Sequence, residues 1–159
     1  MSDNELVMRF FSMFSRYEYA IKAAGHVHVR GGDAAEPDWQ YVIDVLGKLD
    51  NESFERLRER ADILVTDPPR KQVYRNGALE FVSTESAGSA AADLTVWLRR
   101  VRNNLFHGGK YTREFAVLDD RSRKLIHCSI SVLDGLLSVS ALEDLADRFR
   151  GYSPSESEG

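Results

Sequence analysis

The sequence predicts an all-α fold, an up-and-down helical bundle of about five helices with one small β-hairpin insert at about residues 72–82. Three observations carry this. Apolar residues recur at three- and four-residue spacing over long stretches. Gly-rich and Asp-Pro-Pro segments interrupt those stretches. A single segment, KQVYRNGALEFV, changes to two short runs joined at Asn76-Gly77, the strongest local signal for a tight hairpin turn.

From about Asn4 to Ala24, Leu6, Val7, Phe10, Met13, Phe14, Tyr17 and Ile21 form one apolar stripe, with Ser2 or Asp3 able to cap its start. GHVHVRGGDAAEPDW follows as a connection, in which Pro37 suits a first helical turn. A second helix, about Asp38 to Leu49, places Trp39, Val42, Val45 and Leu46 on one side. Asn51 is the expected N-cap of a third, about Glu52 to Val65, which the Asp-Pro-Pro at 67–69 must end. The hairpin is too small to stand alone and is expected to pack on the helices. Ser83 to Ser89 reads as a loop or a ragged helix start. A fourth helix then runs to about His107 on Ala91, Leu94, Leu98, Val101 and Leu105, and Gly108-Gly109 supplies a left-handed stop. A fifth is expected from about Leu118 to Ser140, and a last short one over LEDLADRF.

The 159 residues, 43% hydrophobic and 29% charged, suit one globular domain, expected over 1–150 with a disordered polar tail at 151–159. No apolar run approaches the roughly 18 residues of a membrane helix, and MSDNELVMRFF lacks the order of a signal peptide. The single cysteine, Cys128, cannot close an internal disulfide, so a cytoplasmic location is expected. In its apolar setting the thiol reads as an inert packing residue.

Net charge is −4, which argues against a general nucleic-acid binder, but its distribution is uneven. Between Trp97 and Lys124, eight Lys/Arg face three acids, so that segment is +5 and the remainder −9. The positive charge gathers around RNNLFHGGK at 102–110. On a helix Asn103 and His107 share a face, with Arg102 about 100° away from Asn103. Packing requires none of the three, whereas RNA cleavage uses all of them. The ribose 2′-hydroxyl is a built-in nucleophile, so no metal or other cofactor is strictly required. Histidine can take or give a proton near neutral pH. Arginine's planar fork matches phosphate oxygens, and asparagine can orient the imidazole or donate to phosphate. One histidine cannot be base and acid at once, but two copies of the helix across a two-fold axis would bring two histidines and two arginines together.

Arg102-Asn103-x-x-x-His107, near the end of a late long helix in a bundle spanning about 4–150, resembles the R-[polar]-x-x-x-H signature of the HEPN superfamily. Several bacterial branches of that superfamily are RNases of toxin–antitoxin and phage-defence systems. The resemblance implies a homodimer with a composite active site and metal-independent cleavage by 2′-hydroxyl attack. The products would be a 2′,3′-cyclic phosphate and a 5′-hydroxyl, with Arg102, Asn103 and His107 catalytic. RNA and an antitoxin or defence protein are the implied partners. One toxin branch carries a tyrosine two residues after the histidine, which its antitoxin modifies; here that position is Gly109 and the nearest tyrosine is Tyr111.

Other residues have two readings each. Arg99, Lys110, Tyr111 and Arg113 could contact RNA, by phosphate pairing and base stacking, or be solvated surface. His26 and His28 could share a metal but lack an evident third ligand. His127 reads as a core-edge residue with a satisfied hydrogen bond, and Trp97 as core or a dimer anchor. The alternatives to an endoribonuclease are a non-catalytic HEPN-like module binding RNA, nucleotide or protein, and an interaction-only bundle.

Overall fold

The computed structural model describes residues 1–107, 110–112 and 115–151. Ser2 caps α1 (Asp3–Ala23) reciprocally. Its Oγ accepts from the Glu5 amide at 3.2 Å, and Glu5 accepts from the Ser2 amide at 2.7 Å. The apolar stripe buries Phe10, Phe14, Tyr17 and Ile21, so α1 runs through the centre of the domain.

The connection after α1 is not a plain loop. It folds into an antiparallel hairpin, β1 (Val27–Arg30) and β2 (Ala34–Pro37), whose turn holds Gly32 and Asp33 at positive φ. Pro37 therefore ends a strand rather than starting a helix, and Asp38 caps α2 (Trp39–Gly47) by accepting from the Gln40 amide. The expected third helix is two helices. Asp50, not Asn51, is the N-cap of α3 (Asn51–Glu59); the chain breaks at Arg60 and Ala61, and α4 (Asp62–Thr66) follows. Gly135 accounts for that close packing, because a Cβ there would lie 2.7 Å from Arg60 Cδ and 2.9 Å from Leu57 Cδ1.

The Asn76-Gly77 hairpin forms as expected, β3 (Lys71–Arg75) pairing with β4 (Ala78–Val82). Both turn residues have positive φ, 52° and 77°, the signature of a type I′ turn. Its outer half leaves Tyr74 and Leu79 exposed, so only its base packs on the helices.

The motif helix is α5 (Ala90–His107). A short hairpin follows that the sequence reading lacked, β5 (Tyr111–Thr112) with β6 (Phe115–Ala116). The helix expected over 118–140 is shorter. Asp119 caps α6 (Asp120–Leu136), and Leu118 is buried just before it. A 3₁₀ turn (Ser140–Leu142) leads into α7 (Glu143–Arg150).

The described residues thus form a mostly helical fold of seven α-helices and three two-stranded hairpins, where about five helices and one hairpin were expected. α1 packs on α6 and α7, α2 on α5, and α4 on both α5 and α6. Arg16 clips α1 to α7, with Nη2 donating to the Phe149 carbonyl at 2.7 Å and its guanidinium 4.2 Å from the Phe149 ring. No single helix among the described residues is long and apolar enough to cross a membrane. Residues 152–159, most of the expected tail, lie outside the described set.

Candidate functional site on helix α5

α5 buries Ala91, Leu94, Leu98, Val101 and Leu105, the stripe expected from its periodicity. That burial orients the rest of the helix. Arg99, Asn103 and His107 are exposed on the far side. Phe106 is 57% exposed and stacks on Phe11 of α1 at 4.3 Å between ring centres.

Arg102 does not point outward with Asn103 and His107 but turns into the groove between α1 and α5. Its Nη2 lies 3.4 Å from Glu18 Oε1, and its guanidinium lies 5.3 Å from the Phe14 ring. The same Glu18 oxygen accepts from Trp39 Nε1 at 3.0 Å, and Arg102 Nε is buried without a hydrogen-bond partner among the described residues. Helical geometry explains the split: residues five apart point roughly 140° apart, so Arg102 reaches α1 while His107 faces solvent.

Asn4, Met8, Phe11, Ser15 and Glu18 form one stripe of α1 by their spacing. Three of them touch the far side: Asn4 Oδ1 accepts from the Ala116 amide at 2.7 Å, Phe11 stacks on Phe106, and Glu18 meets Arg102. Met8 lies between these contacts and is 65% exposed. The open face therefore combines Met8, Phe11 and Phe106 with Asn103 and His107.

Three cations of the basic segment, Arg102, Arg121 and Arg123, pair with acids from elsewhere in the chain, and others meet the segment's own Asp119 and Asp120. Arg121 donates from Nε to Asp67 Oδ2 at 2.6 Å and from Nη2 to Asp67 and the Pro68 carbonyl. This contact holds the Asp67 carboxyl below the usual aspartate range. Arg123 pairs with Asp3 at 2.9 Å and Asp120 at 3.1 Å, and Lys110 Nζ lies 3.7 Å from Asp119. Arg100, half-buried, has Nη1 without a hydrogen-bond partner, and burial lowers its pKa.

Of the other expected site residues, Arg99 is exposed on the motif face and Lys110 sits on the opposite side of α5 beside Asp119. Tyr111 enters β5 through its backbone; its side chain, with Gly108, Gly109 and Arg113, lies outside the described residues. His26 and His28 go to different partners. His26 stacks on Tyr41 at 3.4 Å, and His28 Nε2 lies 3.0 Å from Asp38. His127 is exposed, not at the core edge, because Leu125, Ile126, Ser129 and Ile130 take the buried positions around it. Trp97 packs against the core at its margin. The Cys128 thiol contacts the Arg60 carbonyl at 3.0 Å, and burial pushes its pKa up, the behaviour of a packing cysteine.

Glu18 is the residue that motif reading missed. A cue existed: it occupies the i+4 position after Phe14 in an i, i+3, i+4, i+7 stripe where an apolar residue is expected.

Comparison of the chain with protein-family models, curated proteins and solved structures found no match.

Proposed function

We propose that this protein is a metal-independent endoribonuclease whose active site is completed when two copies meet at the α1/α5 face. The observation that carries the reading is the company His107 keeps. An exposed imidazole and the Asn103 amide share one side of α5 with the exposed Phe106 ring, which stacks on the partly buried Phe11, an apolar surface beside chemically capable groups. A second copy covering that surface would place two His107 side chains near one phosphodiester. One imidazole takes the 2′-hydroxyl proton as the oxygen attacks phosphorus. The other protonates the departing 5′-oxygen, leaving a 2′,3′-cyclic phosphate. Arg102 meets the charge that develops on the phosphate oxygens, and Asn103 orients an imidazole. For Arg102 to do so its guanidinium must turn from Glu18 to the substrate. A toxin or defence role in the cytoplasm, with an antitoxin or defence partner, follows from the HEPN resemblance.

The decisive experiment is His107→Ala, assayed on total RNA in EDTA with detection of cyclic-phosphate ends. A loss of at least about 100-fold in cleavage is expected, with the melting temperature unchanged because the side chain is exposed. Cleavage equal to wild type would overturn the assignment.

A second reading, a non-cleaving HEPN-like module that binds RNA, nucleotide or a protein, is favoured by one observation: Arg102 is already engaged by Glu18. It predicts RNA or nucleotide binding by the wild-type protein with no cyclic-phosphate ends.

A further inference from the structure

On the side of α5 away from His107, Val101, Asn104 and Leu105 face a cleft of about 220 Å³. We propose that this cleft binds a small organic anion, a flat apolar body carrying one carboxylate or phosphate. Apart from Lys110, a candidate RNA contact, the inference rests on residues the ribonuclease reading does not use.

The floor is apolar, built by Val101 and Leu105 of α5, Leu125 and Ile126 of α6, and Pro69, with Phe81 of β4 leaning over it. Phe81 is 42% exposed and lines the cleft, and an aromatic wall suits a flat ligand. The polar groups gather at the rim. Arg70, Lys110 and Arg121 meet the carboxylate of Asp119, and Asp67, bonded to Arg121, brings a second one beside the rim, which leaves an excess of one cation. Arg121 is engaged with Asp67 and Pro68, so its charge is offset there and Arg70 carries the excess. Lys110 meets Asp119 only at 3.7 Å and keeps donors to spare. The Arg70 side chain has Asp67 as a charged neighbour but makes no hydrogen bond or salt bridge among the described residues. Asn104 Nδ2 donates to the Arg70 carbonyl at 2.9 Å, which holds the amide at the wall with its carbonyl oxygen and second N–H unspent.

An apolar slot with converging polar groups is the usual form of a small-molecule site. The excess of cation selects an anion, and the volume, just below the roughly 300–1,000 Å³ of sites for drug-sized ligands, selects a body of one or two rings. A phosphate alone would leave the floor empty, and a neutral ring would leave Arg70 unanswered.

Four probes separate these elements when titrated into the full chain by calorimetry: 1-naphthoate, 1-naphthyl phosphate, the neutral 1-naphthalenemethanol, and inorganic phosphate. One or both charged naphthyl probes should bind, with the neutral alcohol and inorganic phosphate at least about tenfold weaker. Binding of the naphthoate alone assigns a carboxylate ligand, and of the naphthyl phosphate alone a phosphate ligand. Arg70→Gln should weaken the bound probe about tenfold and Phe81→Ala a few-fold. Both positions are exposed, and unchanged melting temperatures would verify the fold. His107→Ala should leave binding unchanged, which separates this site from the proposed ribonuclease face. The proposal is overturned if neither charged probe binds, if the neutral alcohol binds equally well, or if both cleft variants bind as wild type does.

Discussion

The two sides of α5 carry similar chemistry in opposite states. On one side Asn103 and His107 stand open to solvent beside an exposed aromatic stack, and the nearby Arg102 is held by a single 3.4 Å contact. On the other, Asn104 and Lys110 line a cleft whose walls are fastened by the multiply bonded Arg121–Asp67 contact. Local sequence does not distinguish them, since Asn103 and Asn104 are adjacent. One step of about 100° around the helix does. A residue's availability for chemistry here depends on which neighbouring helix it meets.

The largest expected effect tests whether the cleft side is the structural one. Leu105→Ala, at a position 3% exposed, should cost about 3 kcal/mol of unfolding free energy in urea titration. Phe106→Ala, the next residue but on the open side, should cost about 1 kcal/mol, mostly the loss of the Phe11 stack. Equal losses would erase the distinction between the two sides.

Acid sensitivity should come next; Glu5 and Asp50, at helix starts away from the cleft, contribute to it, and the cleft side and its surroundings supply a share that can be tested separately. Asp3, Asp67 and Asp119 are held below the usual aspartate range by hydrogen bonds, from Arg123, from Arg121 and from the Ser122 amide respectively. A lowered folded pKa means that the folded chain binds fewer protons than the unfolded one. The stability these groups supply is present above the unfolded value near 4 and is lost as pH falls through the folded values. The melting temperature should therefore drop between about pH 5 and pH 2. In Arg121→Gln that drop should be smaller, because Asp67 then has less to lose; identical pH profiles would show that the contact does not couple to protonation.

The smallest effect sharpens the open side. Glu18→Gln keeps an acceptor for Trp39 Nε1 but removes the counter-charge of Arg102. Stability should change by less than about 1 kcal/mol, as for other partly exposed ion pairs. On the ribonuclease reading Glu18 competes with the phosphate for Arg102, so the KM for RNA should fall about threefold, equivalent to about 0.7 kcal/mol. An unchanged or higher KM would mean that Glu18 positions Arg102 rather than competing for it.

Helical periodicity and turn chemistry were legible in the chain because both are local. The stripe of α1, the buried face of α5 and the Asn76-Gly77 turn all appear where spacing and residue type place them. Hairpins β1–β2 and β5–β6 and the break between α3 and α4 were not legible. Four- and two-residue strands are too short to show a periodicity, and the Arg60–Ala61 break accompanies the close approach of Leu57 and Arg60 to Gly135, more than 70 positions away. The site divides in the same way. The sequence alone determines that Arg102, Asn103 and His107 lie on one helix, and that Asn103 and His107 share a face. Only the tertiary structure decides that Arg102 meets Glu18, that Arg121 and Arg123 of a segment of net charge +5 pair with the distant carboxylates of Asp67 and Asp3, and that a cleft opens behind the motif. Side-chain direction follows from helix geometry, but the partner a side chain meets is set by which elements pack together, and that is a property of the whole chain.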